Sequence, residues 1–339
     1  MQTSDLPRIA VVGCGAIAES FYLPALRSLH MMERTILVDT NVKRAEALAA
    51  QFGGGKVSGR YESIVSDVDG VIVAVPHHLH AKISGVFLQK GVHVLCEKPI
   101  AENIEDAREM IRLAEEHKVS ICLNHTRRFM PASVKVRSLL KEQAIGTVRS
   151  IDYLDGCEFN WPTATGFYFD YRISTKGVLL DIGTHVIDLI SWWMAAKPEI
   201  VASANDSFGG IEAYAALDLN FRGVPCKIRL SRLGKFPNVY RITGDKGYIE
   251  GGVYEGRSVS LVLANGHKSA FTGPEGQDSF PEIGKKLLTN FAAVIAGKEE
   301  PLVPAQEALN TVEIVGSAYK KATQVTMPWY AAAEVHHVS

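Results

Sequence analysis

Residues 8–12 (Arg-Ile-Ala-Val-Val) run without a break into Gly13-Cys14-Gly15-Ala16-Ile17-Ala18. An uninterrupted apolar run suits a strand buried on both faces, as a parallel sheet requires. The glycines suit the turn that opens a dinucleotide-binding unit. Gly13 permits the tight bend, Gly15 lets backbone approach a pyrophosphate, and Ala18 is small enough for helix–strand packing. A helix beginning at Ala16 and Ile17 then offers unpaired N–H groups to the phosphates. Asp39 lies 21 residues beyond Ala18, where a carboxylate accepts hydrogen bonds from ribose hydroxyls and favours NAD. Thr40 adjoins it. Lys43 and Arg44 can serve a 2′-phosphate, which keeps NADP possible, or form a solvated helix face.

The pattern that follows alternates strand and helix. Residues 36–38, 71–75, 92–96 and 119–123 read as strands; 43–51, 79–89 and 105–117 read as helices. The helix after the glycine turn runs to about Leu29, with Pro24 expected to kink it. Such alternation gives a doubly wound parallel sheet, here a Rossmann domain over residues 1–125. After residue 125 the pattern changes. A helix near 133–142, a strand at 148–158 and a helical apolar period over 177–194 precede six candidate strands between 199 and 263, joined by short Gly-bearing turns. This predicts an α+β domain over 126–330 on a large, mainly antiparallel open sheet, completed by helices at about 281–297 and 306–323. An uncovered face carrying Val, Leu and Phe would then be buried in a homodimer or homotetramer.

A chain of 339 residues exceeds one comfortable core. Its 36 basic and 37 acidic residues nearly cancel, which gives no support for nucleic acid as a partner. No apolar stretch is long enough to cross a bilayer, and no signal-peptide core is evident. Cys14, Cys96, Cys122, Cys157 and Cys226 lie far apart, which suits a reducing, cytoplasmic setting. The expected metal content is none, because no ligand-like cluster stands out beyond His77-x-x-His80. Residues 331–339 read as a frayed terminus with a solvated His336-His337 pair.

Two later segments carry chemistry. Glu97-Lys98-Pro99 follows a sheet strand, and doubly wound folds bind ligands outside that edge. Pro99 restricts Lys98 to an extended backbone. Asp181 and His185 stand at i and i+4 and share a face if the segment is helical. A histidine with an ordinary pKa of about 6.5 suits removal of a hydroxyl proton. Asp181 would orient the imidazole or bind a substrate hydroxyl, and Lys98 would polarise the reacting oxygen. A bland reading has Asp181 capping the helix and His185 filling its core. Asp188, on the same face, reads as structural. Arg128, in Arg127-Arg128-Phe129, either contacts cofactor or substrate or forms a surface ion pair. Trp161, in an aromatic loop over 159–171, either covers a sugar face or packs the loop. Arg172 and Lys176 are candidates for a substrate phosphate or carboxylate, against solvated charge.

Taken together, Gly13 to Ala18, Glu97-Lys98-Pro99 and Asp181-x-x-x-His185 resemble the glucose–fructose oxidoreductase / inositol dehydrogenase / rhizopine-catabolism (Gfo/Idh/MocA) family, as do Val73-Ala74-Val75-Pro76 and the late helices. The resemblance implies an NAD(P)-dependent oxidoreductase interconverting a hydroxyl and a ketone on a small polyhydroxylated substrate: a sugar, sugar nucleotide or cyclitol. It also implies cofactor contacts from Pro76, His80, Glu97 and Lys98. Many members have Asn where this chain has His77, which can also donate a hydrogen bond; alternatively His77 and His78 cap the turn. Two other readings remain. One is a non-catalytic dinucleotide-sensing regulator on the same fold. The other is a reductase of an aromatic or dihydrodiol substrate, which a flatter, less polar pocket would signal.

Overall fold

The computed structural model describes residues 6–163, 166–174, 176–207 and 210–325. The tail with His336 and His337 lies outside them.

In the first half, β1 (Ile9–Val12), β2 (Thr35–Val38), β4 (Gly70–Val73), β5 (His93–Glu97) and β6 (Ile121–Asn124) stand in register with a short strand, β3 (Lys56–Ser58), that sequence patterning misses. All pair in parallel, in the order β3-β2-β1-β4-β5-β6. Every residue of β1, β2 and β4 is buried, which explains their unbroken apolar runs. The helices are α1 (Leu23–Ser28), α2 (Val42–Phe52), α3 (His80–Leu88) and α4 (Ile104–Glu116). Instead of a kink at Pro24, a π-helical turn over Ala18–Tyr22 precedes α1, with Pro24 in its first turn. There its missing N–H leaves no helical bond broken.

The second half begins with α5 (Pro131–Lys141), β7 (Val148–Gly156) and α6 (Thr184–Met194). Then come β8 (Glu199–Asn205), β9 (Tyr214–Phe221), β10 (Val224–Ser231), β11 (Val239–Gly244), β12 (Gly247–Gly252), β13 (Ser258–Leu263) and β14 (Lys268–Thr272). Two helices, α7 (Phe280–Ile295) and α8 (Ala305–Lys321), and the two-residue β15 (Thr323–Gln324) close the described chain. The sheet order is β14-β13-β12-β11-β7-β10-β9-β8-β15, antiparallel except at β7–β10 and β8–β15. One face packs on α5 and α6 through Ile151, Leu217, Leu219, Ile228, Leu230 and Ile242. Each such side chain contributes about 1.5–3 kcal/mol on full burial.

Two expectations are corrected. The late helices do not simply complete the second half. Ile283, Leu287 and Phe291 of α7 pack with Ile9, Phe21 and Leu26. Helix α8 joins both cores, with Ala308 and Val312 in one and Ile314, Val315 and Ala318 in the other. Nor is the open sheet face a field of Val, Leu and Phe, because strand alternation turns those residues inward. Across its centre the registered residues run Glu250, Arg241, Asp152, Lys227 and Asp218, a row of alternating charge over five strands. Opposite charges directly across a ladder stabilise it.

Candidate active site

Both halves contribute to one cluster at the C-terminal edge of the parallel sheet. Strand β5 ends at Glu97, so Lys98 leaves the sheet there, and the Lys98–Pro99 peptide is cis. From the other half, a π-helical turn over Leu179–Gly183 runs into α6 and carries Asp181. Single π turns recur at functional sites because they reset side-chain direction within a helix.

The Lys98 ammonium donates to Asp181 Oδ1 at 2.5 Å and to the Asp181 carbonyl at 3.2 Å. Arg232, just past β10, pairs with the other carboxylate oxygen. Burial alone would raise the Asp181 pKa, but Lys98 and Arg232 hold it well below the ordinary carboxylate range. Asp181 is therefore an ionised bridge between two cations and makes no hydrogen bond to His185, contrary to the orienting role expected from their spacing.

His185 lies one helical turn on. Its Nδ1 is sealed from solvent and has no hydrogen-bond partner. Burial, then the nearby Lys98 and Arg127 charges, push its pKa well below 6.5, so the ring is neutral at neutral pH and able to accept a proton. His125 sits edge-on to it, ring centroids 6.5 Å apart. Burial pushes His125 down to about 4. Its Nδ1 is 3.4 Å from Asp188 Oδ2 without the alignment of a hydrogen bond.

An aromatic wall covers the cluster. The His77 ring packs edge-on against Phe167 and Tyr168, at 5.6 and 5.9 Å. The Arg232 guanidinium lies 5.0 Å from the Phe159 ring and 5.3 Å from that of Tyr168, positions suited to cation–π attraction. Arg232, Phe159, Tyr168 and His125 were not singled out in the sequence. Arg232 meets its partner across 51 residues, and no local pattern announces such a pair.

Other candidates have structural employment. Glu97 accepts from the Tyr22 hydroxyl at 2.8 Å and from Asn124 Nδ2 at 2.7 Å, fastening β5 to β6 and the first helical turn. His80 is fully buried, with Nδ1 2.7 Å from the Pro99 carbonyl and Nε2 2.8 Å from that of Val75. Both its nitrogens face main-chain carbonyls. Arg128 is buried, not a surface residue. It holds Asp188 through two bonds, at 2.7 and 2.6 Å, and also Glu307 on α8. It ties α6 to α8. Trp161 packs against Phe280, ring centroids 6.4 Å apart. Arg172 is exposed and forks onto its neighbour Asp170, while Lys176 donates to the Glu102 carbonyl at 2.8 Å.

The nucleotide end fits a dinucleotide. Gly13 has φ +99°, and a Cβ there would lie 2.3 Å from the Ala74 carbonyl oxygen. A Cβ on Gly15 would meet nothing within 4 Å, which leaves open space beside the turn at Ala16 and Ile17. Asp39 Oδ2 accepts from the Cys14 N–H at 2.8 Å and Oδ1 from the Asn41 N–H at 2.8 Å, with Thr40 exposed beside it. Arg44 donates to the Cys14 carbonyl at 3.2 Å and pairs with Glu19. Pro76 begins the segment that carries His77.

Residues 7–125 match the oxidoreductase family with an NAD-binding Rossmann fold, and residues 133–250 match the Gfo/Idh/MocA C-terminal domain. The chain belongs to the Gfo/Idh/MocA family. It is 26% identical over 335 residues to dTDP-3,4-didehydro-2,6-dideoxy-alpha-D-glucose 3-reductase of Actinomadura kijaniata, covering 95% of this chain and 97% of that protein. It is 28% identical over 335 residues to mouse (Mus musculus) trans-1,2-dihydrobenzene-1,2-diol dehydrogenase, covering 95% and 98%. In fold it is similar to a 3-ketoreductase from Actinomadura kijaniata crystallised with NADP and TDP-benzene (TM-score 0.83, 24% identity, 95% of this chain and 99% of that one). Like other Gfo/Idh/MocA proteins it is an NAD(P)-dependent oxidoreductase. No helix among the described residues is long and apolar enough to cross a membrane.

Proposed function

We propose that this oxidoreductase interconverts a secondary hydroxyl and a ketone on a polyhydroxylated ring, with NAD preferred to NADP. The observation that carries the reading is the buried Lys98–Asp181–Arg232 cluster, one helical turn from a neutral His185, at the sheet edge where this fold binds ligands. The nicotinamide, when bound, supplies the hydride chemistry; the chain's own residues handle the proton and the charge. His185 takes the proton from the hydroxyl during oxidation and returns it during reduction. Lys98 donates to the reacting oxygen and stabilises negative charge there. Asp181 positions Lys98 and, with Arg232, supplies acceptors and donors for neighbouring hydroxyls.

The cofactor preference rests on Asp39, whose carboxylate repels a 2′-phosphate, and on Arg44, whose charge is already matched by Glu19. The cytoplasmic assignment keeps the support of five cysteines that are all free. A homodimer or homotetramer through the open sheet face would use the alternating row from Glu250 to Asp218. Sedimentation should show an assembly that weakens with salt, and a strict monomer at micromolar concentration removes that part of the reading.

The direct test is a panel of sugars, cyclitols and sugar nucleotides followed by nicotinamide absorbance, with NAD and NADP binding measured separately. A protein that binds NAD but leaves every member of the panel unchanged would support a dinucleotide sensor instead.

A further inference from the structure

Beside Arg232 the surface opens into a cavity of about 600 Å3, lined chiefly by Phe159, Phe169, Tyr171 and Leu233. That volume suits a substrate-sized ligand. Phe169, Tyr171 and Leu233 are 58%, 67% and 67% exposed. Large apolar side chains grouped around one hollow mark a binding surface more often than a solvated one.

Among the described lining residues two are ionic, and both are engaged. Glu212 accepts from the Gly177 and Leu179 N–H groups at 2.8 and 3.0 Å and from the Tyr319 hydroxyl at 2.6 Å. Arg232 is matched by Asp181 and lies over the Phe159 and Tyr168 rings. A diphosphate placed here would bring negative charge beside one cation that already has its counter-ion, and burying poorly matched charge is unfavourable. A flat apolar group needs no such partner. Arg232, which lines this cavity, also pairs with Asp181 of the Lys98 cluster, so the two sites adjoin.

We propose that the substrate is a polyol bearing a flat apolar substituent, such as an aryl glycoside, with that substituent in this cavity and the reacting carbinol at Lys98 and His185. The inference rests on the hydroxyl–ketone reading and narrows its substrate class to exclude sugar nucleotides.

The experiment compares phenyl and methyl β-glucosides, galactosides and xylosides, with TDP-glucose alongside, on the NAD-loaded enzyme. Calorimetry gives affinity and nicotinamide absorbance gives kcat and KM. Phenyl glycosides should bind about 10-fold or more tightly than their methyl counterparts, the worth of one well-buried apolar group. Leu233→Asp and Tyr171→Ser should bring that ratio towards one. Equal affinity for phenyl and methyl forms, a ratio that survives both substitutions, or tighter binding of TDP-glucose than of any phenyl glycoside would overturn the proposal. Phenyl-selective binding without turnover would uphold the cavity's assignment while counting against the hydroxyl–ketone reading, so the two failures are distinguishable.

Discussion

Lys98 Nζ lies 2.5 Å from Asp181 Oδ1, a buried ion pair that joins the end of the parallel sheet to the π-helical turn of the second half. Because Arg232 holds the opposite oxygen, removing the carboxylate charge strands two cations together. Asp181→Asn should lower stability by about 3–5 kcal/mol, the range for breaking a buried pair from one side, and should lower kcat as well. The folded pKa of Asp181 lies below its unfolded value, so its contribution is full above about pH 4 and is lost only in stronger acid. The stability gap between wild type and variant should stay flat from pH 5 to 8 and shrink below pH 4, as denaturant titrations can follow. A gap that closes near neutrality would show that Asp181 is not held ionised.

In the proposed function His185 and Lys98 carry the reactive roles, and neither belongs to the nucleotide turn. His185→Ala and Lys98→Ala should fold, keep near-wild-type cofactor affinity and lose about 10²–10⁴-fold in kcat. The pH profile adds a sign. Burial and the Lys98 and Arg127 charges depress the His185 pKa, so the base stays neutral as pH falls through the ordinary imidazole range. The acid limb of kcat for oxidation should therefore lie below pH 6.5. A limb at or above that value in the wild type, or variants with unchanged kcat, would remove His185 as the base.

Asp39 has a structural task and, in the proposed function, a cofactor-selecting one, and the two have different readouts. Its carboxylate holds the Cys14 and Asn41 N–H groups at 2.8 Å each, and it stands just after β2, where a ribose-binding carboxylate is expected in this fold. Asp39→Ala should narrow the NAD-over-NADP affinity ratio by about 10-fold or more, because a repelling charge is gone. It should also cost about 1 kcal/mol of stability for each hydrogen bond lost. Wild-type preference for NADP would transfer the specificity argument to Lys43 and Arg44.

What was legible in the sequence, and what was not, follows from the range of the interactions. The strands of the parallel sheet announce themselves because burial on both faces forces unbroken apolar runs such as Ile9–Val12. Lys98, Asp181 and His185 stand out because each lies in a short patterned segment. Arg232 does not, since its role depends on a partner 51 residues away and on rings at 159 and 168. Glu97, His80 and Arg128 share the motifs' neighbourhood but are bound to Tyr22, to main-chain carbonyls and to Asp188. Partners so distant in sequence leave no mark on the local pattern. Strand β3, with three residues and none buried, carries too little pattern to detect. The return of α7 to the first core was hidden for another reason: an amphipathic helix shows that it buries a face, not which face receives it.

The two glycines of the nucleotide turn make a last, paired prediction. They look equivalent in sequence, yet a Cβ on Gly13 would lie 2.3 Å from the Ala74 carbonyl oxygen and 2.7 Å from its carbon. Those atoms are main chain at the end of β4, which cannot rotate away, and the φ of +99° is itself unfavourable for alanine. Gly13→Ala should thus lower the melting temperature without cofactor, with about 1–3 kcal/mol from backbone strain alone and more from the clash. At Gly15 nothing stands within 4 Å of the added methyl, so Gly15→Ala should melt close to wild type when cofactor is absent. Its methyl would instead occupy the space through which a pyrophosphate approaches. Cofactor raises the melting temperature only as far as it binds the folded state, so the NAD-induced shift should largely vanish in Gly15→Ala. Thermal melts with and without NAD on both variants check the pair. A Gly15→Ala protein that keeps the full NAD shift would mean that the pyrophosphate does not lie against this turn.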